Sequence, residues 1–173
     1  VKIDIIGSVG AGKTTLARSL GTTYQIPFYE KDDIVWVRDP KGDYKRSDEE
    51  RDALFASILA QEHWIVEGSP RKVLQESFEE ANIIIFLDPP SLIRVNRLIR
   101  RWLKQRSGRE AHHIFSDFSA FRQFLVWHRE FNRMKKDLLD SLSGYSDKLY
   151  VCQSSKEAET VIARKMPAAS FYV

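Results

Sequence analysis

The segment Gly7-Ser8-Val9-Gly10-Ala11-Gly12-Lys13-Thr14-Thr15 fills the pattern G-x-x-x-x-G-K-[ST]. An apolar, strand-like run precedes it and a helical pattern follows, which is the context that makes such a segment a phosphate-binding loop. Each residue type has a physical reason. Gly7, Gly10 and Gly12 let the backbone curl tightly and turn its N–H groups, that of Ala11 among them, toward an anion. A helix opening at Lys13 adds unsatisfied N–H groups and the positive end of its dipole. Lys13 can neutralise β- and γ-phosphate oxygens, the Thr14 hydroxyl can ligate Mg²⁺, and Thr15 is expected at the α-phosphate. The chemistry on offer is the binding and cleavage of a nucleoside triphosphate.

Other residues narrow the class. A guanine-reading N/T-K-x-D does not occur in the sequence, and Asp39-Pro40-Lys41-Gly42 fits D-x-x-G only inside a polar loop. Motor and helicase ATPases close an apolar strand with Asp-Glu, whereas Asp88 is followed by Pro89. Three acids, Asp32, Glu67 and Asp88, stand at strand ends or in the loops that follow. Seven basic residues and no acid lie between Arg94 and Arg109. Arg94, Arg97, Arg101 and Lys104 share one helical face there, with Val95, Leu98, Ile99 and Trp102 on another. That face can be simply solvated, or it can meet phosphate. His112 and His113 are adjacent and lack the partner spacing of a zinc site.

Short β-rich runs alternate with longer helical patterns, which predicts a parallel sheet covered by helices on both faces. Strands are expected at Lys2–Ile6, Pro27–Tyr29, Trp64–Glu67, Asn82–Leu87 and Lys148–Cys152. Helices are expected at Lys13–Thr22, Asp48–Gln61, Arg71–Phe78, Ser91–Gln105, Asp117–Leu142 and Lys156–Lys165. Ser47 and Glu50 have capping-box spacing, and Ser155 is expected to cap the last helix. Asp39–Tyr44 and Arg106–Ser116 read as loops, and Pro167–Val173 as a tail or edge contact. The aromatic stripe Phe121, Phe124, His128 and Phe131 reads as core packing.

The 173 residues suit one domain, with 43% hydrophobic and 29% charged residues, which excludes a disordered chain. A domain this long buries roughly 70% of its unfolded surface and needs no disulfide or metal to hold a core. Cys152 is the only cysteine, so a reducing, cytoplasmic setting is expected. The longest wholly apolar run, Ile83–Leu87, is far short of the ~20 residues of a membrane span. No signal peptide is expected, because strand-like sequence starts at Val1; a trimmed leader stays open. The formal charge of +3 and pI of about 9.0 give modest support to an anionic partner.

The sequence resembles the small P-loop kinases related to adenylate and shikimate kinases, and most closely the bacterial group called DNA topology modulation proteins. The resemblance runs from Lys2 to about Trp127. It rests on the phosphate loop, on Ile26-Pro27-Phe28-Tyr29 leading to Asp32 and Trp36, on Trp64-Ile65-Val66-Glu67-Gly68, and on Ala81-Asn82-Ile83-Ile84-Ile85-Phe86-Leu87-Asp88 with the Arg-rich helix after it. It implies a three-layer α/β/α fold with a five-stranded parallel sheet in order 2-3-1-4-5, and an Arg-rich lid at about residues 101–117. The group usually carries Asp-Gly-Asn-Tyr where this chain has Glu67-Gly68-Ser69-Pro70-Arg71. The latter is similar to the Asp-Gly-Phe-Pro-Arg of adenylate kinases, and so implies that Arg71 grips an acceptor phosphate.

By the same resemblance Glu67 emerges beside the loop and is preferred to Asp88 as the Mg²⁺-side acid, leaving Asp88 a structural turn with Pro89. Asp32 faces an acceptor cleft, where it would take a proton from a hydroxyl or orient a phosphate-bearing ligand. Arg97 and Arg101 match lid arginines that act on the γ-phosphate, with Arg106 and Arg109 near the lid tip. The expected activity is ATP- and Mg²⁺-dependent phosphoryl transfer to a nucleotide or small metabolite by a monomer or homodimer. The alternative is an ATP-binding, DNA-associated regulator.

Overall fold

A computed structural model describes residues 1–106 and 118–166, excluding the side chains at 101, 105, 106, 118–121 and 124. The chain runs through β1 (Lys2–Gly7), α1 (Lys13–Tyr24), β2 (Phe28–Glu30), α2 (Lys31–Val35), β3 (Trp36–Val37), β4 (Tyr44–Lys45) and α3 (Asp48–Leu59). It continues through β5 (Trp64–Gly68), α4 (Glu76–Glu80), β6 (Ile83–Leu87), α5 (Ser91–Arg106), α6 (Phe118–Ser141), β7 (Leu149–Cys152) and α7 (Ser155–Lys165). Five parallel strands form the main sheet in the order β2-β5-β1-β6-β7. This is the expected 2-3-1-4-5 order, renumbered because the two short strands β3 and β4 pair antiparallel outside the sheet.

The central strands are buried on both faces, which is why they read as continuous apolar runs. Alternation divides their side chains between two cores. Ile3, Ile5, Ile65 and Ile85 pack with Leu16 of α1 and Ile162 of α7 on one side. Ile6, Val66, Ile84 and Phe86 pack with Phe55 of α3 and Phe78 of α4 on the other. Each such side chain, fully withdrawn from water, contributes about 1.5–3 kcal/mol. Among the described residues no helix is long and apolar enough to cross a membrane.

Asp4 breaks the apolar run of β1 and is fully buried in the second core. Lys31, equally buried, places Nζ 2.8 Å from both of its carboxylate oxygens, and Ser77 Oγ donates to Oδ2 at 2.5 Å. The Lys31 ammonium also lies 4.6 Å from the centre of the Phe78 ring. A charge in the middle of a buried strand must find such partners. The pair ties the first residue of α2 to the centre of the sheet, and so fixes the segment that carries Asp32.

Several local expectations are corrected. The predicted helix Arg71–Phe78 is a single 3-10 turn at Lys72–Leu74 followed by α4, because Arg71 is held extended across a cleft by Asp32. The last helix is capped by Ser154, not Ser155: Ser154 has the extended backbone a cap needs, and its Oγ accepts from Glu157 N at 3.1 Å. α2 and the β3–β4 ribbon were not expected; both are too short for a periodic signal. The expected loop around Pro40 and Gly42 joins the ribbon strands. The capping box of Ser47 and Glu50 is present. Residues 107–117 and 167–173, which include most of the expected lid loop, His112, His113 and the tail, lie outside the described residues.

Candidate active site

The loop from Gly7 to Gly12 joins β1 to α1 at the carboxyl edge of the sheet, where open α/β folds hold ligands. Two of its glycines are forced. A Cβ at Gly7 would collide with the Leu87 carbonyl oxygen of the adjacent strand. Gly12, with φ of 98°, is the cap of α1 and offers no side chain, so the N–H groups of the first turn are left to a ligand. Lys13 Nζ donates to the Ser8 carbonyl at 3.0 Å. Burial lowers its pKa, opposed by Glu67, Asp32 and Glu30. The ammonium is thus held over the loop by a neutral carbonyl oxygen, in the field of nearby acids, where an anionic oxygen could take the carbonyl's place.

Thr14, in the first turn of α1, donates Oγ1–H to Glu67 near the end of β5. Glu67 is buried, and burial raises its pKa against the opposing pull of Lys13 and Thr14. Hydroxyl and carboxylate are the hard oxygen donors that suit Mg²⁺. Among the described residues no cluster of three or more His, Cys, Asp or Glu could cage a metal. A two-oxygen site fits a dication that takes its remaining ligands from substrate phosphate and water. Glu67 and Thr14 are therefore the residues that could hold the metal. Asp88 faces the other way: its carboxylate pairs with Lys135 and lies 3.5 Å from Arg94.

One cleft of about 1740 Å³ is lined by the loop, by α2 and by the stretch after β5. Lys13, Thr14, Glu30, Asp32, Glu67 and Arg71 line it together. Asp32 and Arg71, brought by α2 and the stretch after β5, form an ion pair across it. Arg71 holds Asp32 through Nη2, while its Nε is buried without a hydrogen-bond partner. Glu30 is a site residue that sequence reading passed over. Burial and the nearby Asp33 and Asp32 raise its pKa.

α5 forms the roof. Arg97 donates to the Ala11 carbonyl at 2.5 Å and approaches that of Gly10 at 3.4 Å, so it lies against the loop itself. Arg100 and Lys104 line the cleft with it. The helix segregates basic and apolar residues by spacing as expected, but burial does not follow the division throughout: Arg94 is buried along with Leu98, while Ile99 is exposed. The side chains of Arg101 and Arg106, and Arg109 entirely, lie outside the described residues. From α6, Trp127, Phe131 and Met134 line the cleft as well; of these, Phe131 was expected as part of a core-packing stripe. Cys152, buried at the end of β7, has its thiol pKa pushed up by burial to about 11 and does not line the cleft.

No family profile matches the chain, and comparison with curated proteins gives no match. Solved structures match it in shape. A shikimate kinase from Bacteroides thetaiotaomicron superposes with TM-score 0.57 at 14% identity, covering 98% of each chain. A gluconokinase from Sinorhizobium meliloti 1021 does so with TM-score 0.53 at 19% identity, covering 98% of this chain and 95% of that one. The YorR protein of Bacillus subtilis, solved in complex with phosphorylated GDP, gives 0.54 at 12% identity over 100% and 99%. At these identities the likeness is one of fold. The chain has the α/β P-loop kinase-like fold, and two of these three structures are small-molecule kinases by name.

Proposed function

We propose that this protein is an ATP-dependent small-molecule kinase that moves the γ-phosphoryl group of Mg·ATP to an acceptor held between Asp32 and Arg71. The observation that carries the reading is the shared cleft: the phosphate loop with Thr14 and Glu67 and the Asp32–Arg71 ion pair line the same cavity. Gly7, Gly10, Ala11, Gly12 and Thr15 cradle the triphosphate, and Lys13 leaves the Ser8 carbonyl to meet its oxygens. Bound Mg²⁺, held through Thr14 and Glu67, supplies charge neutralisation on the phosphates.

An acceptor oxygen attacks the γ-phosphorus as the bond to the β–γ bridging oxygen breaks, and ADP leaves. Where the acceptor is a hydroxyl, Asp32 takes its proton; where it is a phosphate, no base is needed and Asp32 orients it. Arg71, whose side chain is a third exposed, offers guanidinium N–H groups not taken by Asp32 to an anionic group on the acceptor. Arg97 and Arg101 stabilise charge on the transferring group, with Arg106 and Arg109 contributing from a lid at about residues 101–117.

The alternative, an ATP-binding DNA-associated regulator of the topology modulation group, would need these cations for a nucleic-acid backbone. Arg97, Arg100 and Lys104 line the same cleft as the phosphate loop, which favours the kinase. A screen of mononucleotides and hydroxylated metabolites for acceptor-dependent ADP release tests the choice. Stimulation well above background by one acceptor is the expected result. No stimulation, with DNA binding that persists near physiological salt, would favour the alternative.

A further inference from the structure

Arg94 is 3% exposed, yet it lies on a helix whose Arg97, Arg100 and Lys104 line the cleft. Its guanidinium spans four elements. Nη1 donates to Ser8 Oγ of the phosphate loop at 2.8 Å and lies 3.5 Å from Asp88 Oδ1, beyond the end of β6. Nη2 donates to Ser91 Oγ at 3.0 Å and to Asn132 Oδ1 of α6 at 2.8 Å. Asn132 Nδ2 in turn meets His128 Nε2 at 3.2 Å. Packing alone does not call for this arrangement. Arg94 Nε, Asp88 Oδ1 and His128 Nδ1 are all buried without hydrogen-bond partners, and an apolar side chain would join the same helices without that desolvation.

The contact with Ser8 has a specific consequence. The Ser8 hydroxyl accepts from Arg94 and donates to the Val9 carbonyl at 3.2 Å, while the Ser8 carbonyl holds Lys13 Nζ. Ser8 is therefore the pivot between the buried guanidinium and the lysine of the loop. The Arg94 carbonyl and the Leu98 side chain also pack close to Gly10, where a Cβ would meet them at 3.1 and 3.2 Å and the positive φ of 75° disfavours a side chain.

We propose that Arg94 is a positioning residue of the nucleotide site: through Ser8 it locks the phosphate loop in its anion-receiving shape and ties that shape to the seating of α5 and α6. The proposal rests on the reading of the loop as a triphosphate cradle. It differs from the role given to Arg97, which touches the loop from the cleft and belongs to the transferring group. Arg94 remains in place and acts on the ligand only through the loop.

The test uses calorimetric titration of Mg·ATP into the full chain, thermal unfolding, and amide exchange over residues 8–13 without nucleotide. In Arg94→Met, Asp88 keeps Lys135 as a partner, so the fold is expected to survive with Tm changed by only a few degrees. Mg·ATP affinity is expected to fall at least tenfold, and exchange over the loop to rise. Ser8→Ala removes one oxygen and is expected to act in the same direction even if Arg94→Met does not fold. The double variant should bind no more weakly than the more affected single one, because both break the same link. Affinity and loop exchange unchanged in Ser8→Ala, or losses that multiply in the double variant, would overturn the proposal. A wild-type chain that binds no Mg·ATP is a distinct result, since it removes the function reading and this inference with it.

Discussion

Thr14 of the phosphate loop and Glu67 of the neighbouring strand are hydrogen-bonded, hydroxyl to carboxylate. The bond joins the first turn of α1 to β5 at the mouth of the cleft, and it brings together the two oxygen donors best placed for a dication. Glu67→Gln preserves the shape and an oxygen for Thr14 but removes the charge. Its expected effect is a loss of roughly tenfold or more in affinity for Mg·ATP. Binding of ATP in the presence of a chelator should change little, and isothermal titration with and without metal separates the two.

The same carboxyl gives a pH signature. Burial, the largest influence on Glu67, raises its pKa above the usual 4.5, so the folded chain holds the proton more tightly than the unfolded one. Its contribution to stability is therefore full below pH 4.5 and is lost as pH rises through the raised value. Glu30 is raised in the same sense. In metal-free protein, the stability difference between wild type and Glu67→Gln is expected to shift in favour of Gln across that window. Thermal unfolding of both proteins from pH 4 upward checks it, and a constant difference would count against the assignment.

Arg97 lies on the Ala11 carbonyl, within the cleft but on the loop rather than beyond it. If its charge serves the transferring phosphoryl group, Arg97→Ala should lower kcat by about 10³-fold while the Kd for ATP moves far less. Arg101→Ala is expected to behave likewise. A loss confined to ATP affinity would make these residues binding groups only. Single-turnover rates, measured once an acceptor is known, distinguish the cases.

Lys31 and Asp4 form a buried ion pair next to the segment that carries Asp32. Removing one member strands the other, a change that costs about 3–5 kcal/mol. Lys31→Met is thus expected to lower the denaturation midpoint sharply. Lys31→Met combined with Asp4→Leu should recover much of the loss, because no charge is then left alone. Urea unfolding of the single and double variants reads both effects.

The architecture was legible because its signals are periodic and long. The run Ile83–Leu87 reads as a strand covered on both faces, and the phosphate loop names the strand before it and the helix that follows it. The candidate site was legible where a motif or resemblance named a residue type: Lys13, Thr14, Glu67, Asp32 and Arg71 all line one cleft. What escaped was set by partners distant in sequence. Arg94 read as one more cation on a basic face, because Ser8 and Asn132, far from it along the chain, are what bury it. Asp4 did leave a sequence signal, an acid inside an apolar strand, which requires a buried partner; nothing local identified that partner as Lys31. α2 and the β3–β4 ribbon are shorter than the repeat by which such elements are recognised.

The central claim is that the loop between β1 and α1 encloses a triphosphate. Titration of Mg·ATP into the wild-type chain and into Lys13→Ala tests it most directly. The expected result is saturable, one-to-one binding by the wild type and a loss of roughly 10²-fold in the variant, with the far-UV circular dichroism of the two unchanged. Absence of binding by the folded wild-type protein, or equal affinity in the two, would contradict it.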